Sequence, residues 1–171
     1  IQCCLVGSEM CIRDRTTNAS QLADMAPRLR DAGVNSVNIS LDSLQAPRFK
    51  VITRTGDLNR VLEGIDAAIA QGIDRIRLNV VVLDGLNRDE VLPLTQFALA
   101  KNIHISFIEE MPLGQVNVGG KPLAYVSSDA LQAELSEHFC LEPLSAEETA
   151  GPSRDYLISG STTRVGFISP H

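Results

Sequence analysis

Asn38, Ser40 and Asp42 alternate with Val37, Ile39 and Leu41 along one short segment. Successive side chains of a strand point to opposite faces, so the segment has one polar and one apolar face. The pattern recurs at 75–82, where Arg75, Arg77 and Asn79 share one face and Ile76, Leu78, Val80 and Val82 the other. A parallel sheet flanked by helices is buried on both faces, and its strands usually read as near-continuous apolar runs. Polar rows on two such strands therefore predict a cavity that holds a polar ligand. The adjacent carboxylates Glu109 and Glu110 face opposite ways on a third strand and cannot form a general acid/base pair with each other. His104 and His138 fall on a strand start and a helix end, read as structural, and form no zinc constellation.

The elements that must position these residues alternate as repeated βα units from Thr16 onward. Thr16-Thr17-Asn18 reads as the tail of a strand. A helix with Leu22, Met25, Leu29 and Ala32 at helical spacing is closed by Gly33, and a second, 58–71, turns Val61, Leu62, Ile65, Ala68 and Ile69 inward and ends at Gly72. Asn87 followed by Glu90 predicts a capping box for a third helix, distorted near Pro93. A third strand over 103–110 runs into Met111-Pro112-Leu113-Gly114, where the period stops. Beyond lie a glycine-rich loop, a capped helix over 128–139 and a short antiparallel pair around 156–158 and 164–168.

The chain has 171 residues, 44% of them hydrophobic, which suits one α/β domain with a substantial core. No apolar stretch reaches the length of a membrane span and no signal peptide is evident, so a cytoplasmic protein with no membrane partner is expected. A net charge of -6 without a basic cluster argues against a nucleic-acid binder. Three of the four cysteines, Cys3, Cys4 and Cys11, lie in a leading segment unlike the rest. Glu9–Asp14 back-translates to GAG-ATG-TGT-ATA-AGA-GAC, which resembles a transposon mosaic end. Residues 1–15 are therefore read as a sequencing artefact and set aside, leaving Cys140.

Taken in order, Thr-Thr-Asn at 16–18, Asp-Ala-Gly-Val at 31–34, Asn-Ile-Ser-Leu-Asp-Ser at 38–43, Leu-Asn-Val-Val-Val-Leu at 78–83 and Phe-Ile-Glu-Glu-Met-Pro at 107–112 resemble the radical S-adenosylmethionine (SAM) enzymes. The branch they resemble cyclises GTP in molybdenum cofactor biosynthesis. Gly-Pro-Ser-Arg at 151–154 and Gly-Phe-Ile-Ser-Pro-His at 166–171 continue the series. The resemblance implies part of an incomplete (βα)6 TIM-like barrel over 16–114. A truncated C-terminal extension follows over 115–171. It further implies SAM and two 4Fe-4S clusters as cofactors, GTP as substrate, a reductant protein as partner and a homodimeric parent. The parent would cleave SAM to a 5′-deoxyadenosyl radical that attacks GTP on the way to a cyclic pterin.

By the same resemblance, Ser40 and Met111 match SAM contacts, and Thr16 and Arg77 match GTP contacts. Arg77 replaces a family lysine, and guanidinium can serve a phosphate with altered geometry. Asn38, Asp42, Asn79 and Glu109 line the site, with a buried hydrogen-bonded brace as the alternative role for Asn38 and Asp42. Ser106 departs from a frequent family arginine and Glu110 from an apolar residue. Cys3, Cys4 and Cys11 lack the spacing of cluster ligands and Cys140 matches none, so this stretch alone is expected to be inactive. The competing readings are another radical SAM maturase, and an aldolase-type barrel or binding protein without redox chemistry.

Overall fold

The computed structural model describes residues 14–17, 19–109, 117–118, 121–122, 126–145 and 153–169. Strand β1 (Asp14–Thr17) leads to helix α1 (Leu22–Asp31), β2 (Ser36–Ser40), α2 (Ala46–Thr53), α3 (Leu58–Ala70), β3 (Arg75–Val82), α4 (Val91–Lys101) and β4 (His104–Glu109). The two-residue strands β5 (Asn117–Val118) and β6 (Lys121–Pro122) form a separate antiparallel pair. Helix α5 (Ser128–Ser136), β7 (Leu141–Pro143), β8 (Arg154–Ile158) and β9 (Arg164–Ile168) complete the order.

Seven strands form one sheet in the order β1-β2-β3-β4-β9-β8-β7. Neighbours from β1 to β4 are parallel, β9 adds parallel to β4, and β8 and β7 follow antiparallel. This mixed α/β architecture agrees with part of a TIM-like barrel. Of the strands after Gly114, expected as an extension of different character, β7, β8 and β9 continue the same sheet, while β5 and β6 stand apart. β1 begins at Asp14, paired with Ser36, two residues before the expected start of the ordered fold.

The alternating pattern decides which face is which. Val37, Ile39, Leu78, Val80, Ile105, Phe107, Val165 and Phe167 are buried on the helix-covered side, with Val61, Ile65, Leu94, Leu131 and Leu135 from the helices in the same core. α1 and α3 end alike: Gly33 at φ 74 and Gly72 at φ 67 adopt the left-handed conformation. Behind them Val34 donates to Leu29 O and Ile73 to Ala68 O, the closing bonds of Schellman turns that send the chain directly into β2 and β3.

Three local expectations are corrected. α2 was not foreseen; Pro47 in its first turn starts it, and Phe49 is its buried side chain. Asn87 makes no cap bond: a 3-10 turn over Arg88–Glu90 precedes α4, which places Pro93 harmlessly in the helix's first turn. Met25 and Ile69, expected inward, are exposed at 41% and 37%.

Candidate functional site

Parallel registration turns the polar alternation into rows that cross the sheet. Ser40 pairs with Asn79, Asn79 with Ser106, Ser106 with Gly166, and Gly166 with Asp155. Two residues earlier on each strand, and so on the same face, Thr16 pairs with Asn38, Asn38 with Arg77, and Arg77 with His104. The face opposite the apolar core is thus lined by small polar groups with Arg77 among them, and Arg75 and Arg164 stand on the same face toward the strand starts. Asn38, Ser40 and Asn79 are half-buried, and their side chains make no hydrogen bond among the described residues. Of the expected site residues, Asn38, Ser40, Arg77 and Asn79 share this face. Thr16 is placed by its backbone in β1, and Met111 lies outside the described residues.

Arg77 is already engaged. Its Nη1 donates to Ser106 Oγ at 2.9 Å and to Asp155 Oδ1 at 3.0 Å, and its Nη2 to Asp155 Oδ2 at 2.7 Å. Ser153 Oγ donates to the same carboxylate at 2.6 Å. The arginine side chain is 23% exposed and the aspartate 4%. Burial opposes the charge of Asp155, but the bonds from Arg77 and Ser153 and the positive charges of Arg77 and Arg164 outweigh it, holding the carboxyl below its usual range. Ser106 is small and fully buried, and its hydroxyl takes one of the Arg77 hydrogens.

At the lower edge of the same face, His104 Nδ1 accepts from the Arg164 amide at 3.2 Å. Burial, then the charges of Arg77, Arg164 and Arg75, push its pKa from 6.5 to about 4 against the opposing pull of Asp155. The unfolded chain therefore holds a proton that the folded chain rejects. The resulting stabilisation is whole above pH 6.5 and is lost as pH falls toward 4. His104→Asn, which keeps an acceptor, is expected to flatten the dependence of the denaturation midpoint on pH in that window. The same slope in both proteins would refute the assignment.

At the opposite ends of the strands the expected lining residues act as braces. Asp42 Oδ1 accepts from the Val81 amide at 2.8 Å; burial raises its pKa and that bond partly counters the rise. Asn87 Nδ2 donates to Asp42 O and Val81 O, while Leu83 N donates to Asn87 Oδ1. These bonds tie the exits of β2 and β3 together. Glu90 is buried and accepts from Ser43 Oγ at 2.6 Å, Leu44 N at 2.7 Å and Arg48 Nη1 at 2.8 Å, fixing the loop that follows Ser40. Glu109 pairs in register with Val82 and so stands on the helix-covered face. There its carboxylate accepts from the Ser128 amide, in the first turn of α5, and from Ser169 Oγ at 3.2 Å.

Sequence reasoning gave no site role to Asp155, nor to Glu90, Ser153 and Gly166, which it read only as a helix cap and as parts of motifs. The available clue was a lone carboxylate at Asp155, three residues after the turn signal Gly151-Pro152. Among the described residues no group of three or more His, Cys, Asp or Glu could hold a metal ion, and Cys140 is exposed. No described helix is long and apolar enough to cross a membrane.

Residues 15–98 match the model of the Radical SAM superfamily. The GTP 3',8-cyclase of Pseudomonas entomophila is 51% identical over 164 residues, 95% of this chain and 48% of that protein. The GTP 3',8-cyclase of Ectopseudomonas mendocina is 53% identical over 156 residues, 91% of this chain and 47% of its own length. That of Saccharophagus degradans is 44% identical, over 96% of this chain and 48% of its own length. The chain thus spans about half the length of the curated relatives it matches. The family match runs from β1 into α4, the stretch whose strands carry Asn38, Ser40, Arg77 and Asn79, and over these residues the chain is similar to the radical SAM superfamily.

Proposed function

We propose that this chain is a portion of a cytoplasmic GTP 3',8-cyclase that works in molybdenum cofactor biosynthesis. The observation that carries the reading is identity of about half over 95% of the chain to a protein of that name, together with a polar sheet face built for a polar ligand. In this reading Ser40 and Met111 contact SAM, and Thr16 and Arg77 contact GTP. Asn38 and Asn79 line the cavity between them, while Asp42 and Glu109 support its rim. A reductant protein and a second copy of the parent are the further partners.

The residues fit SAM: Ser40 ends β2 with a half-buried hydroxyl that makes no hydrogen bond among the described residues, suited to a ribose hydroxyl. Bound SAM supplies radical chemistry. The described residues do not fit an iron–sulfur cluster, which needs several thiolates at fixed positions.

Arg77 provides the test. In the full-length protein, Arg77→Ala is expected to weaken GTP binding about tenfold or more, the scale of one lost charge-assisted contact, with a smaller change for SAM. Titrations of the two ligands under anaerobic conditions measure both. Equal losses would reject the assignment of Arg77, and failure of the full-length protein to consume GTP in the presence of SAM and reductant would sink the functional reading.

A further inference from the structure

We infer that Asp155 is a positioning residue that holds Arg77 with one edge of its guanidinium open to an oxyanion. The inference rests on the proposed GTP reading, because it assigns that oxyanion to the triphosphate. A guanidinium carries five N–H donors in a planar array. Nη1 spends both of its hydrogens, on Ser106 and Asp155, and Nη2 spends one on Asp155. The two donors left by these bonds are Nε–H and the outer Nη2–H. They lie on one edge of the plane and match two oxygens of a phosphate.

The support behind the aspartate is built into the fold. Ser153 donates to Oδ1, and Asp155 is buried, so its orientation is set by the protein and not by solvent. Asp155 comes from β8 and Arg77 from β3, with β4 and β9 between them in the sheet. The intervening positions are Ser106 and Gly166, which are small enough for the arginine to span both strands. A carboxylate beside a phosphate site opposes the phosphate's charge. The inference therefore requires the gain from a fixed donor edge to exceed that repulsion, and this makes its sign testable.

The experiment compares Asp155→Asn, Ser153→Ala and Arg77→Ala with the wild-type full-length protein, measuring binding of GTP and of guanosine together with the thermal midpoint. Asparagine accepts at only one atom and cannot complete the fork. Asp155→Asn is expected to weaken GTP about tenfold while guanosine changes little, and Ser153→Ala to do the same by a smaller factor. Ser153→Ala removes one hydrogen bond and so reports even if the aspartate variant fails to fold. Unchanged or tighter GTP binding in these variants, with wild-type GTP binding present and Arg77→Ala impaired, would overturn the inference and leave the functional reading standing. A wild-type protein that does not bind GTP would overturn both.

Discussion

Truncating Phe167 to alanine is expected to destabilise the chain by about 3–5 kcal/mol, the usual range for a fully buried aromatic. Phe167 is wholly buried and lies in register with Phe107 across β4 and β9, the ring centroids 6.2 Å apart. Tyr156 meets its edge at 5.8 Å from β8. It therefore joins three strands on the helix-covered face, beneath α5, which packs on β4 and β9. The surrounding rings are held by strand hydrogen bonds and cannot collapse into the void, which favours the upper part of the range. Urea denaturation measures the loss; a shift below about 1 kcal/mol would show that β9 is held by its hydrogen bonds alone. Hydrogen exchange adds a local expectation: amides of β8 and β9 lose protection before those of β2 and β3.

What the sequence revealed, and what it hid, follows from the range of each interaction. Val37, Ile39 and Leu41 against Asn38, Ser40 and Asp42 announced a two-faced strand because alternation is a local property of the backbone. The glycine-capped helices were legible for the same reason, since Gly33 and Gly72 close turns whose bonds span only five residues. α2 escaped because an eight-residue helix with one buried side chain leaves almost no apolar period to read. Asn87 and Glu90 had the spacing of a capping box, yet tertiary partners won both side chains: the exits of β2 and β3 took Asn87, and the loop after Ser40 took Glu90. The site was half legible. Its polar strands could be read one at a time, but the partner of Arg77 lies 78 residues away. Only the placement of β9 between β4 and β8 brings it into reach. A partly buried cation on the polar face of the sheet calls for an anion, and the fold supplies one of its own.

Gly166→Ala is expected to cost about 2–4 kcal/mol, although it adds a single methyl group. A Cβ at this position would sit 2.2 Å from Ser153 Oγ, 2.5 Å from Asp155 Oδ1 and 2.7 Å from Ser106 Oγ. All three atoms end short side chains that can rotate away, so the methyl can be accommodated. Each rotation, however, breaks a bond around Arg77, and together they leave a partly buried guanidinium without its carboxylate. The cost is thus electrostatic more than steric, which separates this site from an ordinary overpacked core position. Removing both members of the pair should then remove most of the penalty. In the Arg77→Met, Asp155→Leu background, Gly166→Ala is expected to lose at least half of its effect, as a double-mutant cycle in chemical denaturation would show. A full penalty in that background would mean that the backbone of β9 has no room for a side chain whatever surrounds it. The ion pair would then be a consequence of the glycine and not its reason.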